Sequence, residues 1–163
     1  NWRWAGVPFY LRTGKRLPEK LTEIVIFYKS LPHNIFSSGD NIPNRLVIRL
    51  QPNEGIEMQM VSKLHSLKNK MALVRQNLNL DFLGSSGMDR IPDAYERLFL
   101  DVIQGDQSLF VGREEVEASW RWCDSLISAW QKQQVEVKNY HAGSWGPTKA
   151  ELLIEKDGRS WHE

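Results

Sequence analysis

The chain has 163 residues, of which 41% are hydrophobic and 25% charged, as is usual for a soluble globular domain with a core of its own. Its 21 basic and 20 acidic residues give a net charge of +1, so bulk electrostatics favour neither a nucleic-acid partner nor a membrane surface. A single cysteine excludes an internal disulfide and a zinc site built from cysteines, and no apolar run approaches the roughly 20 residues of a membrane span. No signal-peptide pattern opens the sequence, so we expect a cytoplasmic protein.

The first predicted element is a strand over residues 7–12, VPFYLR, in which apolar residues alternate with others before a Gly-Lys turn. Because the sequence has no initiator Met and reaches this strand within a few residues, we expect it to be a piece of a longer polypeptide. Lys15 lies in the turn and Lys20 follows five residues later, so both can stand at one strand end. Two ammonium groups there suit a polyhydroxylated phosphate, because each can donate several hydrogen bonds. Two solvated lysines near a turn are the alternative, which composition alone favours.

The next stretches predict an antiparallel sheet. Residues 23–28, EIVIFY, form a near-continuous apolar run that predicts a well-buried strand. Residues 46–50 and 56–61 alternate on either side of the turn 51–55, QPNEG, and predict a hairpin. Residues 72–83 alternate again, with a polar side that faces solvent or a subunit partner: Arg75, Asn77, Asn79 and Asp81. The polar stretches 30–44, 62–71 and 84–92 are predicted to be connections.

Two helices are predicted after the strands. Asp93 caps the first, which runs to Gln104 and ends at Gly105. The second covers residues 113–133, and its predicted core stripe consists of Val116, Trp120, Cys123, Ile127 and Trp130. We therefore expect Cys123 to be a buried, inert thiol.

The order of the elements predicts the fold class. The chain from residue 135 onward is predicted to be irregular, with a small hairpin closed by Asp157 and Gly158. Strands that precede the helices, instead of alternating with them, predict an α+β fold. We expect a large, mostly antiparallel β-sheet with helices packed on one face.

Few side chains carry a signature of catalysis or metal binding. Gln51 ends a predicted strand, where it can donate to a sugar hydroxyl or, as the favoured alternative, cap its own turn. The four histidines are scattered over predicted loops without metal-ligand spacing, so we expect no metal site. No glycine-rich nucleotide motif, P-loop or GxSxG motif is present. The residues alone indicate a soluble α+β domain with a candidate anion-binding corner.

Four blocks of sequence go further than these patterns: RWAGVPFYLRTGKRL (3–17), VIRLQPNEG (47–55), PDAYERLFLDV (92–102) and AGSWGP (142–147). In this order they resemble the C-terminal region of bacterial glucose-6-phosphate 1-dehydrogenases. The resemblance implies that residues 1–163 are a single C-terminal substrate-binding and dimerisation domain, and that the family's N-terminal Rossmann coenzyme domain is absent from this chain. It also implies that the family's catalytic histidine and aspartate lie upstream, so the fragment is expected to be inactive alone.

The resemblance implies an oxidoreductase that converts glucose 6-phosphate to 6-phosphogluconolactone, the first step of the pentose phosphate pathway, with NADP as hydride acceptor. Lys15 matches a substrate-contacting position that we assign to the sugar hydroxyls, and Lys20 one that we assign to the phosphate. Gln51 matches the edge of the sugar pocket and is a weaker candidate. The missing domain would bind the catalytic NADP, and the sheet would form a homodimer or tetramer.

Some members of the family carry a second, structural NADP on this domain, held by basic and aromatic side chains. The corresponding positions here are Leu21, Val25, Glu57, Gln59 and Trp145. A phosphate gains nothing from the two aliphatic residues and is repelled by the glutamate, so we expect no structural NADP. A non-catalytic sugar-phosphate-binding or assembly module with the same fold is the alternative function.

Overall fold

The computed structural model describes residues 2–30, 43–63, 73–82 and 92–162. The chain forms two compact units, one made of Asn1–Asp89 with Tyr140–Glu163 and the other of Arg90–Asn139. Most of each predicted polar connection, at 31–42, 64–72 and 83–91, lies outside the described residues, and so do His33 and His65.

The first unit contains a sheet of four antiparallel strands in the order β1-β2-β3-β4. The strands are β1 Thr22–Phe27, β2 Arg45–Gln51, β3 Gly55–Lys63 and β4 Leu73–Asp81. The pairing of β2 with β3 confirms the predicted hairpin. Among the described strands β1 lies at an edge, and Ile24 and Ile26 are exposed, so the expectation of a well-buried strand at 23–28 is wrong. A β-branched run favours a strand, but its burial depends on whether another layer covers it.

The close approach of β4 to β3, next to the turn that joins β2 and β3, depends on a glycine. Gln51-Pro52 is a cis peptide bond, and Asn53 has a φ of 56°. A Cβ atom at Gly55 would lie 2.7 Å from the carbonyl oxygen of Leu80, closer than real Cβ atoms approach. Glycine therefore allows β4 to approach β3 at the end of the hairpin.

Residues 7–12 do not form the predicted strand and lie outside the sheet as irregular chain. Phe9 and Leu11 are 67% and 76% exposed, whereas Tyr10 and Arg12 are half-buried. Burial does alternate along this segment, but the apolar side chains are the exposed ones. The reason is that Tyr10 and Arg12, which have polar tips, contact the C-terminal part of the chain. Alternation alone does not show which side is buried or whether the backbone has a ladder partner.

The second unit contains both predicted helices, α1 Ala94–Gln104 and α2 Arg113–Lys132. Asp93 caps α1, since its carboxylate accepts the backbone N–H of Tyr95 at 2.8 Å. Gly105 ends α1 with a φ of 71°, in the left-handed region that favours glycine. Both boundaries of α1 agree with the sequence prediction.

A third helix, α3 Thr148–Glu155, lies in the part of the chain predicted to be irregular. The hairpin expected at Asp157 and Gly158 is wrong, since Gly158 has a φ of 67° and its N–H donates to the carbonyl of Glu155 at 2.8 Å. The Asp-Gly pair therefore ends a helix instead of closing a hairpin. At eight residues, α3 is too short to show a clear helical period in the sequence.

The predicted core stripe of α2 is exposed, with Trp120 and Trp130 at 61% and 56%. Cys123 is only half-buried, so the expectation of a buried thiol is wrong. Among the described residues of the first unit, the buried apolar side chains are those of Val47 in β2 and Ile154 in α3. Helical periodicity identifies an apolar face, but it does not identify what covers that face.

Candidate functional site

The candidate substrate residues lie at the start of the sheet. Lys15 and Lys20 are exposed and belong to the irregular chain that leads into β1, and Gln51 is the exposed last residue of β2. Thr22 pairs with Gln51 across the β1–β2 ladder, two residues after Lys20. The fold therefore brings Lys20 and Gln51 to one corner of the sheet. We call residues 7–20, which carry both lysines, the lysine segment.

Two hydrogen bonds from the C-terminal part of the chain hold the backbone of the lysine segment next to Lys15. The phenolic Oη of Tyr140 donates to the carbonyl oxygen of Lys15 at 2.6 Å. The backbone N–H of Gly143 donates to the carbonyl oxygen of Arg16 at 2.8 Å. Arg16 has a φ of 55°, a conformation that non-glycine residues adopt uncommonly and that these bonds support.

Glycine at position 14 lets Tyr140 approach the lysine segment closely. A Cβ atom at Gly14 would lie 3.2 Å from Tyr140 Oη and 3.2 Å from Leu17 Cδ2. Both separations are tighter than ordinary van der Waals contact, so any larger residue would displace its neighbours by a few tenths of an ångström. Gly14, which the sequence analysis placed in a turn, is therefore also a position where Tyr140 and Leu17 pack closely against the backbone.

Upstream of the lysines, Arg12 is held between two tryptophans. Its guanidinium carbon lies 4.6 Å from the ring centroid of Trp145 and 4.6 Å from that of Trp161. Arg12 Nη1 also donates to Glu151 Oε1 at 3.3 Å, and the arginine side chain is only 16% exposed. Stacking on aromatic faces and pairing with a carboxylate are both favoured by the flat guanidinium group.

Tyr10 makes a second contact with the same part of the chain. Its ring meets Trp161 edge to face, with centroids 6.4 Å apart, and its hydroxyl donates to the carboxylate of Asp157. The hydrogen bond to Asp157, assisted by desolvation, raises the pKa of Tyr10 above its usual value, while the nearby Arg159 opposes the shift. Arg159 lies over the Tyr10 ring, 5.8 Å from its centroid. We call the set of residues that hold the lysine segment the C-terminal anchor: Tyr140, Gly143, Trp145, Glu151, Asp157 and Trp161.

The sequence analysis did not identify the C-terminal anchor. The only signal was the position of Trp145 and Trp161 near the end of a chain with seven tryptophans. An arginine beside an alternating aromatic segment is consistent with cation–π stacking, but no spacing rule links Arg12 to residues more than 130 positions away.

Of the five positions that the resemblance matches to the structural-NADP site, Glu57, Gln59 and Trp145 contact other side chains of this protein. Glu57 accepts hydrogen bonds from Gln59 Nε2 at 2.6 Å and from Asn77 Nδ2 at 2.7 Å, and Gln59 itself accepts from Arg45. Trp145 stacks on Arg12. Leu21 and Val25 are half-buried near the start of β1.

The described residues offer groups for binding but no recognised metal centre. Within residues 2–30, 43–63, 73–82 and 92–162, no three His, Cys, Asp or Glu side chains are grouped so as to hold a metal ion. His162 Nδ1 lies 2.8 Å from Glu23 Oε1, which links the end of the chain to β1. Over the same residues, no helix has the length and apolar character needed to cross a bilayer.

Comparison with known proteins identifies the family. The model of the family described as glucose-6-phosphate dehydrogenase, C-terminal domain, matches residues 1–162. The chain belongs to this family. The match confirms the resemblance found in the four sequence blocks, and the α+β fold agrees with that of the family.

Individual members of the family agree with this assignment. The chain is 47% identical to the glucose-6-phosphate 1-dehydrogenase of Dickeya dadantii and 49% identical to that of Rhizobium meliloti, over 100% of this chain and 34% and 33% of the relatives. The crystal structure of the Mycobacterium avium enzyme superposes with a TM-score of 0.75 at 31% identity, covering 100% of this chain and 33% of that one. A glucose-6-phosphate dehydrogenase in complex with its substrate glucose-6-phosphate superposes with a TM-score of 0.77 at 28% identity, covering 92% and 30%. The chain thus spans about one third of the length of the relatives it matches.

Proposed function

We propose that this chain is the C-terminal substrate-binding and dimerisation domain of an NADP-dependent glucose-6-phosphate 1-dehydrogenase. The observation that carries the proposal is the match of residues 1–162 to that domain family, in a chain one third as long as its relatives. The missing two thirds would supply the Rossmann domain, the catalytic base and the sites that bind NADP. The complete protein would oxidise glucose 6-phosphate in the cytoplasm as a homodimer or tetramer, and this chain alone would be inactive.

The contribution of this chain to catalysis is to position the substrate. Lys15 and Lys20 are exposed cations in the segment that leads into β1, and Gln51 is adjacent to the end of that segment. We assign Lys15 to the sugar hydroxyls, Lys20 to the phosphate and Gln51 to the edge of the sugar pocket. A fixed substrate raises the rate without any proton transfer by these residues, because the reacting groups are held in the correct geometry.

We further propose that the domain does not bind a second, structural NADP. Glu57 accepts hydrogen bonds from Gln59 on its own strand and from Asn77 on β4, and its negative charge would repel a phosphate, while Trp145 is stacked on Arg12. Calorimetric titration of the isolated chain with NADP should give no measurable heat of binding. Micromolar affinity would contradict this part of the proposal.

The substitution Lys20→Ala in the full-length enzyme tests the substrate assignment. A lost charge-assisted hydrogen bond costs about 1.5–3 kcal/mol, so the KM for glucose 6-phosphate should rise by about 10- to 150-fold. The KM for NADP should stay the same. Lys29→Ala is the matched control, since Lys29 is an exposed lysine beyond the other end of β1.

Two outcomes would contradict the proposed function. An unchanged KM in the Lys20→Ala enzyme would mean that Lys20 is a solvated surface lysine. Tight binding of glucose 6-phosphate by the isolated chain would instead favour a free sugar-phosphate-binding module, because only part of the dehydrogenase pocket is present in this chain.

A further inference from the structure

The lysine segment has no regular secondary structure that could fix Lys15. Residues 7–20 contain neither helix nor strand, so no ladder of backbone hydrogen bonds holds them. An irregular exposed segment retains conformational freedom unless tertiary contacts remove it. Any fixed geometry at Lys15 must come from groups elsewhere in the chain.

The structure shows two such groups directly at the lysine. Tyr140 Oη donates to the carbonyl of Lys15 itself, at 2.6 Å, and Gly143 N–H donates to the carbonyl of the next residue, at 2.8 Å. These bonds fix two consecutive peptide groups, which sets the direction in which the Lys15 side chain leaves the backbone. Arg16 has a positive φ of 55°, which is an unfavourable backbone conformation for a residue other than glycine. The two hydrogen bonds stabilise this conformation, which would cost free energy without them.

Tyr140 can approach Lys15 this closely because the preceding residue, Gly14, has no side chain. The Cα of Gly14 has no substituent, and a Cβ there would lie 3.2 Å from Tyr140 Oη. The segment is also fixed upstream, where Arg12 lies between Trp145 and Trp161. Lys15 is thus held on its N-terminal side by side-chain stacking and at its own carbonyl by Tyr140.

We propose that Tyr140 is a positioning residue for substrate binding, which acts through the carbonyl of Lys15 and does not touch the substrate. This inference rests on the proposed function, in which Lys15 binds the sugar hydroxyls. It assigns a role in glucose 6-phosphate recognition to a side chain 125 residues away from the lysine it orients.

The test is a double-mutant cycle in the full-length enzyme with Tyr140→Phe, Lys15→Ala and both together. Tyr140→Phe keeps the ring and removes only the hydrogen bond, so kcat/KM for glucose 6-phosphate should fall about fivefold, as expected for one neutral hydrogen bond. The KM for NADP should not change. In the Lys15→Ala background, Tyr140→Phe should have no further effect, because the side chain that it orients is gone.

Two further variants separate positioning from folding. Tyr95→Phe, at an exposed tyrosine of the helical unit, is the matched control and should retain wild-type kcat/KM. Gly14→Ala should reproduce the loss seen with Tyr140→Phe, because its Cβ would displace the hydroxyl from Lys15. Equal thermal unfolding temperatures for Tyr140→Phe and the wild type would support an effect on geometry and not on stability.

The outcomes distinguish this inference from the proposed function. If Lys15→Ala lowers kcat/KM but Tyr140→Phe does not, or if the two losses are additive, Tyr140 does not position Lys15 and the inference is wrong. If Lys15→Ala itself leaves kcat/KM unchanged, the substrate assignment of Lys15 fails and the inference fails with it. A loss in Tyr140→Phe that disappears in the Lys15→Ala background supports both.

Discussion

The lysine segment and the helical unit Arg90–Asn139 are held in different ways. In the helical unit the stabilising contacts are mostly local: Asp93 caps α1 through Tyr95, and Arg97 pairs with the buried Asp101 one turn later, at 3.0 Å. In the lysine segment they are distant, since Arg12 and Tyr10 contact residues that follow them by more than 130 positions. Local contacts stabilise a helix without using its exposed surface. Distant contacts can hold an irregular backbone in the geometry that a ligand requires.

The largest effect is expected from Arg12→Ala, which removes three distant contacts of the lysine segment together. The variant loses two cation–π contacts and the ion pair with Glu151 at a mostly buried position, so the free energy of unfolding should fall by about 2–4 kcal/mol. Urea unfolding would measure the loss. Arg12→Lys keeps the charge but loses the flat guanidinium group, so its free energy of unfolding should lie between those of the wild type and Arg12→Ala.

Arg113→Ala is the matched control for Arg12→Ala. Arg113 is an exposed arginine at the start of α2, and its removal should change the free energy of unfolding by less than about 0.5 kcal/mol. If both alanine variants unfold at the same urea concentration as the wild type, the distant contacts do not stabilise the lysine segment, and the contrast between the two regions is lost.

A smaller effect is expected from Asp93→Ala, which removes a local contact in the helical unit. Loss of an N-cap costs about 1 kcal/mol, because the backbone N–H of Tyr95 is left without its partner. Hydrogen exchange should become faster in the first turn of α1 and stay unchanged in the lysine segment. Asp93→Asn keeps an acceptor at the cap and should restore most of the protection, whereas faster exchange at Lys15 and Arg16 would contradict a local role.

The smallest effect is expected from the pH dependence of Tyr10. The hydrogen bond to Asp157 raises the pKa of Tyr10 in the folded state, so its stabilising effect is present below the unfolded pKa and is lost as the pH rises through the folded pKa. Stability measured between about pH 9 and 11.5 should therefore decline more in the wild type than in Tyr10→Phe. A spectroscopic titration of the wild type and of Tyr10→Phe would give the pKa of Tyr10 from the difference between the two curves. A pKa at or below the usual tyrosine value would contradict the assignment.

The parts of the fold that depend on neighbours in sequence were predictable. The start of α1 at Asp93 and its end at Gly105 follow from capping chemistry, and the β2–β3 hairpin follows from two alternating runs around a Pro/Gly turn. Residues 7–12 were mistaken for a strand because their alternation reflects side-chain stacking on Trp161 and Trp145 instead of sheet pairing. No local sequence pattern predicts these stacking contacts, because they join residues that are more than 130 positions apart.

The candidate site was only partly predictable. The residues alone raised a polyhydroxylated phosphate for Lys15 and Lys20 and a sugar hydroxyl for Gln51, but they favoured solvated lysines and a glutamine that caps its own turn. The resemblance to the family then favoured the assignment to a sugar phosphate. The structure added the proximity of Lys20 and Gln51, through the pairing of Thr22 with Gln51, and the contacts of Tyr140 and Gly143. Those contacts could not be inferred from the sequence, because a tyrosine in an irregular tail has no periodicity to indicate its partner.

The distance along the chain between Lys15 and Tyr140 has a consequence for protein synthesis. Tyr140 is translated 125 residues after Lys15, so the lysine leaves the ribosome long before its hydrogen-bond donor exists. A product of premature termination before Tyr140 would keep both lysines and the whole sheet sequence but would lack the groups that fix the segment. Loss of residues 140–163, whether by a nonsense codon or by proteolysis, would therefore remove the contacts that fix the proposed substrate site while leaving Lys15, Lys20 and Gln51 in place.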